Sequence, residues 1–210
     1  MNIDADYSFI WDVDGTLIDS YPCIVESLCQ MTKAHGVTRS KEEIHTFIIE
    51  RSGDDYLTLL SEETGVPKDR LKKEKADGEA VNEHLIELIP NVMETMRGIA
   101  ERGGRNFLFT NRGLSVDHLM ERLGIARFFD EIVTTANGFP RKPCGDGLVY
   151  LVNKYGLDPE KTYYVGDRTL DVDAAVNAGI KSILFLPPDS LCKPNGKQDI
   201  TVEDLIEIVR

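Results

Sequence analysis

The stretch Phe9-Ile10-Trp11-Asp12-Val13-Asp14-Gly15-Thr16-Leu17-Ile18-Asp19-Ser20 decides how the rest of the chain is read. A short apolar run from Ser8 to Trp11 predicts a buried strand, and it stops abruptly at two carboxylates spaced i, i+2. In an open parallel sheet, ligands bind at the carboxyl ends of the strands. Two like charges so close either raise one pKa or require a cation between them. The Asp14-Gly15 pair then turns the chain sharply.

Asp-Gly after a strand is also an ordinary hairpin signal. A calcium loop is a further reading of Asp12-x-Asp14, but it needs Gly at its sixth position and Glu at its twelfth. Those positions hold Leu17 and Cys23, so the calcium loop fails.

The 210 residues are enough for one domain, or one domain carrying an inserted module, with ample core. A composition of 41% hydrophobic and 29% charged residues is that of a globular chain. The net charge of −12 argues against nucleic acid or an anionic membrane as partner, because phosphate neutralisation needs a basic face. Cys23, Cys29, Cys144 and Cys192 form no Cys-x-x-Cys pair and read as free thiols of a reducing compartment. No stretch approaches the roughly 20 apolar residues of a membrane span. The first residues lack the features of a signal peptide. The expectation is a cytoplasmic protein.

From Ser20 to about Ile89 the pattern is helical. Ile24, Leu28 and Met31 fall at helical spacing. Ser40 with Glu43 makes a capping box for a second helix, and residues 55–64 predict a third, ended by Gly65. Pro67 opens a charged stretch interrupted at Gly78. From Pro90 onward helices and strands alternate. Helices are expected over 91–102, 115–123, 146–155, around 174–178, and over 202–209. Strands are expected over 106–109, 131–135, 162–165 and 182–186. These strands are continuously apolar, as parallel strands covered on both faces are. The fold class is therefore α/β, a doubly wound parallel sheet formed by residues 1–19 and 90–210, with an inserted α-helical module over 20–89.

Strand ends in such a sheet share one edge, so their polar residues converge there. The first supplies Asp12 and Asp14, and the second Thr110 and Asn111. The loop beyond the third supplies Lys142, and the fourth ends in Gly166-Asp167 with Asp171 following. Singly, each has an ordinary explanation: a polar strand end, a solvated loop lysine, a turn aspartate, a helix cap. Jointly, a carboxylate pair, a hydroxyl, a lysine and a second carboxylate pair point to chemistry. Several carboxylates in one crevice repel unless a hard cation sits among them, and oxygen donors suit Mg²⁺. A carboxylate can attack phosphorus while a second acid protonates the leaving oxygen. The transferring phosphoryl group needs cationic and hydroxyl donors around it.

These residues resemble the four motifs of the haloacid dehalogenase superfamily. Asp12-Val13-Asp14-Gly15-Thr16 resembles its first motif, Phe109-Thr110-Asn111 the second, Arg141-Lys142-Pro143 the third, and Gly166-Asp167 through Asp171 the fourth. The run AAVNAG over 174–179 resembles the helix that follows. A helical cap between the first two motifs is similar to the subgroup typified by phosphoglycolate phosphatase and β-phosphoglucomutase. The resemblance implies a Rossmann-like core and an aspartyl-phosphate mechanism with Mg²⁺. Asp12 would be nucleophile and metal ligand, and Asp14 general acid/base and ligand through its carbonyl. Thr110 and Lys142 would hold the phosphoryl oxygens, and Asn111 would bind substrate. Asp167 and Asp171 would complete the metal site, Asp171 nearby or through water. The dehalogenase branch lacks an acid at the position of Asp14, so phosphate is the expected substrate group. Two departures stand out: Gly145 where the family usually has a second proline, and a 134–139 segment without the usual Gly/acid pattern.

The expected activity is hydrolysis of a small phosphorylated metabolite, phosphoglycolate-like or a sugar phosphate. The alternative is a phosphomutase of the β-phosphoglucomutase type. Arg51, between two cap helices, is a candidate contact for an anionic substrate tail. A signalling receiver domain also uses acids, a Thr and a Lys-Pro, but it lacks a helical insertion and has no acids after the lysine.

Overall fold

The computed structural model describes residues 4–113 and 115–210. Met1 to Ile3, part of the segment in which a signal peptide was sought, and Leu114 lie outside them. The chain divides into two compact units, one of residues Met1–Ile18 and Leu88–Arg210, the other of Asp19–Glu87.

The first unit is built on a six-stranded sheet. Its strands are β1 (Ser8–Trp11), β4 (Arg105–Phe109), β5 (Ile132–Val133), β6 (Thr162–Gly166), β7 (Lys181–Phe185) and β8 (Ile200–Val202). Their order is β5-β4-β1-β6-β7-β8, and all pair in parallel. The chain winds outward on one side of β1 and then returns to build the other. The change of direction therefore falls beside β1, where open α/β sheets bind ligands. All four residues of β1 are buried, which is why its sequence does not alternate.

Alternate side chains serve the two faces. Ile10, Phe107, Phe109 and Tyr164 pack with Leu148, Leu151, Ala174 and Ala175 from helices α7 (Asp146–Tyr155) and α8 (Thr169–Ala178). Trp11 lies one position along from Ile10 and donates its indole N–H to Asn106 Oδ1 at 2.9 Å, so a buried polar pair is satisfied within the sheet. Helix α5 (Val92–Glu101) packs beside β4, and α6 (Ser115–Arg122) follows that strand.

The second unit holds α1 (Tyr21–Ala34), α2 (Lys41–Glu50), α3 (Gly53–Thr64) and α4 (Lys68–Asn82). Val25, Leu28, Met31, Ile44, Tyr56, Leu57, Leu60 and Leu71 form its core. Ser40 and Glu43 make the expected capping box. Helix α4 does not break at Gly78, although a helical glycine costs about 1 kcal/mol. It is fastened instead to α1, where Asn82 Nδ2 donates to Ser27 Oγ at 3.0 Å and Ser27 Oγ donates to the Cys23 carbonyl at 2.7 Å. Two short strands, β2 (Ile18–Asp19) and β3 (Glu87–Leu88), pair with each other.

The C-terminus corrects one expectation. Residues 202–209 were expected to be helical, but Ile200–Val202 is a sixth sheet strand and Leu205–Ile208 a single 3₁₀ turn. The β-branched Ile200-Thr201-Val202 finds an open edge on β7, and Asp204 then caps the short turn through the Ile206 amide. An apolar run this short fits either period, so tertiary pairing decides. The strand expected over 131–135 shrinks to Ile132–Val133, because the Thr134 hydroxyl accepts from the Ala136 amide and starts a turn. Among the described residues, no helix is long and apolar enough to cross a membrane.

Candidate active site

Asp12 is the residue immediately beyond β1, and its backbone N–H donates to the Val165 carbonyl at 2.9 Å, prolonging the ladder with β6 by one rung. That rung fixes the start of the side chain at the carboxyl rim. The backbone then folds back on itself, with the amides of Leu17 and Ile18 both donating to the Val13 carbonyl.

Lys142 arrives from the loop after β5. Its backbone N–H donates to Asn111 Oδ1 at 2.9 Å, so the residue just past β4 fastens this loop to the rim. Its Nζ lies 2.7 Å from Asp12 Oδ1 and 2.6 Å from Asp171 Oδ1, and all three side chains are buried. The ring of Tyr164 stands beneath the ammonium, 5.5 Å from its centroid, and the Tyr164 hydroxyl donates to the Phe109 carbonyl at 2.8 Å. Burial, then Asp12, Asp171 and Asp167, hold the Tyr164 phenol well above its ordinary pKa, so it serves as a neutral donor.

Asp171 is the third residue of α8. Its Oδ2 accepts from the Arg168 backbone N–H at 3.1 Å, while Oδ1 accepts from Lys142. A Cβ at Gly166 would collide with the Asp171 side chain, so only glycine at the end of β6 lets this carboxylate tuck in. Gly145, the departure from the family pattern, has a comparable reason. A Cβ there would lie 2.7 Å from the Ala178 nitrogen and 2.9 Å from the Ala174 carbonyl oxygen. The loop carrying Lys142 thus rests directly on the backbone of α8, with no room for a larger residue.

Asp12, Asp167 and Asp171 each offer a carboxylate oxygen within 4.8 Å of the others, and all three are buried. Burial pushes the Asp12 carboxyl up to about 6 from 3.8; Lys142 opposes this, and Asp171 and Asp14 add to it. Burial draws the Lys142 ammonium down, yet the carboxylates of Asp12 and Asp171 outweigh it and hold the pKa above its usual value. The two shifts point to opposite balances for one ion pair, and the surroundings explain it. Lys142 faces two anions, whereas Asp12 faces one cation and two further carboxylates. The cluster therefore carries an anionic excess away from water, and an oxygen-only donor set of this kind fits a hard divalent cation.

The remaining candidates have other partners. Thr110 is buried just beyond β4, its Oγ1 accepting from the Arg112 backbone N–H at 3.2 Å. Asp14 faces Arg112, whose Nε donates to its Oδ1 at 2.9 Å and Oδ2 at 3.0 Å. Arg51 belongs to the helical unit, where its guanidinium lies over the Phe47 ring, 5.4 Å from the centroid. Sequence reasoning singled out neither Arg112 nor Tyr164. Arg112 had a signal, a cation directly after Thr110-Asn111 at an acidic rim. Tyr164 had none, since one more aromatic residue in an apolar strand looks like core.

A buried carboxylate, a lysine bridging two acids and a hydroxyl, all at the switch point of a parallel sheet, suit group-transfer chemistry on an α/β fold. Comparison with known proteins narrows this. Residues 9–185 match the model of the haloacid dehalogenase-like hydrolases, and the chain belongs to that family. A phosphoglycolate phosphatase of Vibrio cholerae is 31% identical over 217 residues, covering 95% of each chain. One of Vibrio parahaemolyticus is 28% identical over 218 residues, covering 95% of this chain and 94% of its own. A crystal structure of a predicted phosphoglycolate phosphatase from Haemophilus somnus aligns with a TM-score of 0.82 and 23% identity, over 100% of this chain and 97% of that one. That last likeness is one of fold. Within the family the chain is a phosphoric monoester hydrolase.

Proposed function

We propose that the protein hydrolyses the phosphate monoester of a small anionic metabolite, phosphoglycolate foremost, through an aspartyl-phosphate on Asp12. The contact of Lys142 Nζ with Asp12 at 2.7 Å carries this reading. It would set an ammonium beside an incoming phosphoryl oxygen and leave the other Asp12 oxygen to attack phosphorus. The name shared by the Vibrio relatives supports the choice of substrate.

In the first step an Asp12 oxygen bonds to phosphorus and the ester P–O bond breaks. The departing oxygen keeps the electron pair and takes a proton from Asp14. In the second, water bonds to phosphorus, Asp14 takes its proton, and the P–O bond to Asp12 breaks, releasing phosphate and restoring the carboxylate. Thr110 and the Lys142 ammonium hold the phosphoryl oxygens in both steps, and Asn111 keeps the lysine loop in place. Asp12 and Asp167, with the Asp14 carbonyl, would hold Mg²⁺, and Asp171 would serve nearby or through water while it also accepts from Lys142 and the Arg168 backbone N–H. Bound there, the cation would neutralise the carboxylates and draw charge from the phosphoryl oxygens. The helical unit would select the leaving group, with Arg51 as a contact for an anionic tail.

Phosphate release from a panel of monoesters, with and without Mg²⁺, tests the proposal. Phosphoglycolate should turn over fastest and only with the metal. Conversion of a hexose 1-phosphate to its 6-phosphate without free phosphate would mean a mutase instead.

A further inference from the structure

We propose that Arg112 is the positioning residue for Asp14, fixing the orientation of the carboxyl group that protonates the departing oxygen. This rests on the reading of Asp14 as proton donor given above. Arg112 Nε lies between the two Asp14 oxygens, at 2.9 and 3.0 Å, and the two side chains are 14% and 26% exposed. A carboxylate that open to solvent samples several staggered rotamers unless something holds it. A displacement of about 1 Å in a reacting group can remove a hundredfold of rate, so the holder matters.

Arg112 is itself anchored for this task. Its backbone N–H donates to Thr110 Oγ1 at 3.2 Å. Its carbonyl accepts from the Thr135 backbone N–H at 3.0 Å and from Thr135 Oγ1 at 3.1 Å. Three main-chain tethers join the arginine to the β4 rim and to the turn after β5, so folding positions its main chain before substrate arrives. The same rim holds Thr110, assigned above to the phosphoryl oxygens, which couples the placement of the proton donor to the placement of the phosphoryl group. Lysine would keep the charge but carry it on a flexible stem, so it should hold Asp14 only in part.

The test reads the dependence on leaving group. An alkoxide needs a proton to depart, whereas a nitrophenolate leaves without one. The ratio kcat/KM covers all steps through departure, so it isolates this event from the later attack of water. With Mg²⁺ present, Arg112→Gln should lower kcat/KM on an alkyl phosphate about 10- to 100-fold, part of the roughly 10²- to 10⁴-fold that a general acid contributes. On p-nitrophenyl phosphate the loss should stay within about threefold, and Arg112→Lys should recover part of the alkyl activity. Asp14→Asn, measured alongside, should show the same preference more steeply.

If Asp14→Asn impairs both esters equally, the proton-donor reading falls and the proposal with it. If Asp14→Asn discriminates while Arg112→Gln impairs both equally, or only raises KM, Arg112 binds substrate or supports the fold, and the proposal alone is overturned. Should Arg112→Gln not fold, Arg112→Lys carries the same comparison, with an intermediate alkyl-selective loss expected and an equal loss overturning it.

Discussion

The rim of the sheet and the outer face of helix α4 handle charge in opposite ways. At the rim, Lys142 bridges Asp12 and Asp171 where all three side chains are buried. On α4, Arg70 pairs with Glu74, Lys75 with Glu79, and Lys68 with Asp54 across to α3, all in contact with solvent. A surface pair contributes roughly 0 to 1 kcal/mol, because water competes with it. A buried cluster gives up hydration worth several kcal/mol per ion and regains it only if every charge stays partnered. The helical face thus tolerates change and specifies little. The rim is costly to keep, and that cost is the signature of a site kept for chemistry.

The largest expected effect is on turnover. Asp12→Asn should lower it by on the order of 10⁴ or more, measured as phosphate release, while the far-ultraviolet circular dichroism stays native. The same variant should also be more stable than the parent when metal is absent. Asp12 ionises at about 6 in the folded chain against 3.8 as a free group. A raised folded pKa means that this group's contribution is complete below the unfolded value and declines as pH rises through the folded one. Near neutral pH and above, the ionised carboxylate is a burden of on the order of 2 to 3 kcal/mol, which the amide removes. The melting temperatures of variant and parent should therefore diverge as pH rises through about 6 and converge in acid; parallel curves would show that Lys142 already compensates the burial.

Next in size is Lys142→Met, which leaves Asp12 and Asp171 without their shared cation. It should cost about 3 to 5 kcal/mol in metal-free denaturant unfolding, as well as activity. A loss under about 1 kcal/mol would place the rim with the surface pairs and end the contrast. Magnesium should raise the melting temperature of the parent chain by mass action, and Asp167→Asn should abolish most of that rise. Smallest of all, Lys75→Gln on α4 should change stability by no more than about 0.5 kcal/mol.

Much of this organisation is legible in the amino-acid sequence. Continuously apolar strands ending in Asp12, Thr110 and Asp167 announced a covered parallel sheet with a reactive edge, because burial on both faces leaves no alternation to misread. The helical insertion was readable from caps such as Ser40 and from the absence of strand patterning. What escaped depends on contacts between distant segments. The strand at Ile200–Val202 forms because β7 leaves an edge open, and nothing local distinguishes it from a short helix. Arg112 gains its meaning only opposite Asp14, and Tyr164 only beneath Lys142. Gly145 departs from the family pattern for a reason that lies in the backbone of α8, far along the chain.

The loop bearing Lys142 is held at one end by the Asn111 side chain and at the other by its seat on α8. The ammonium consequently reaches its two acids only after β4, that loop and the last long helix have docked together. Activity during refolding should therefore appear no earlier than the docking of these three segments, whatever the state of the sheet's far edge.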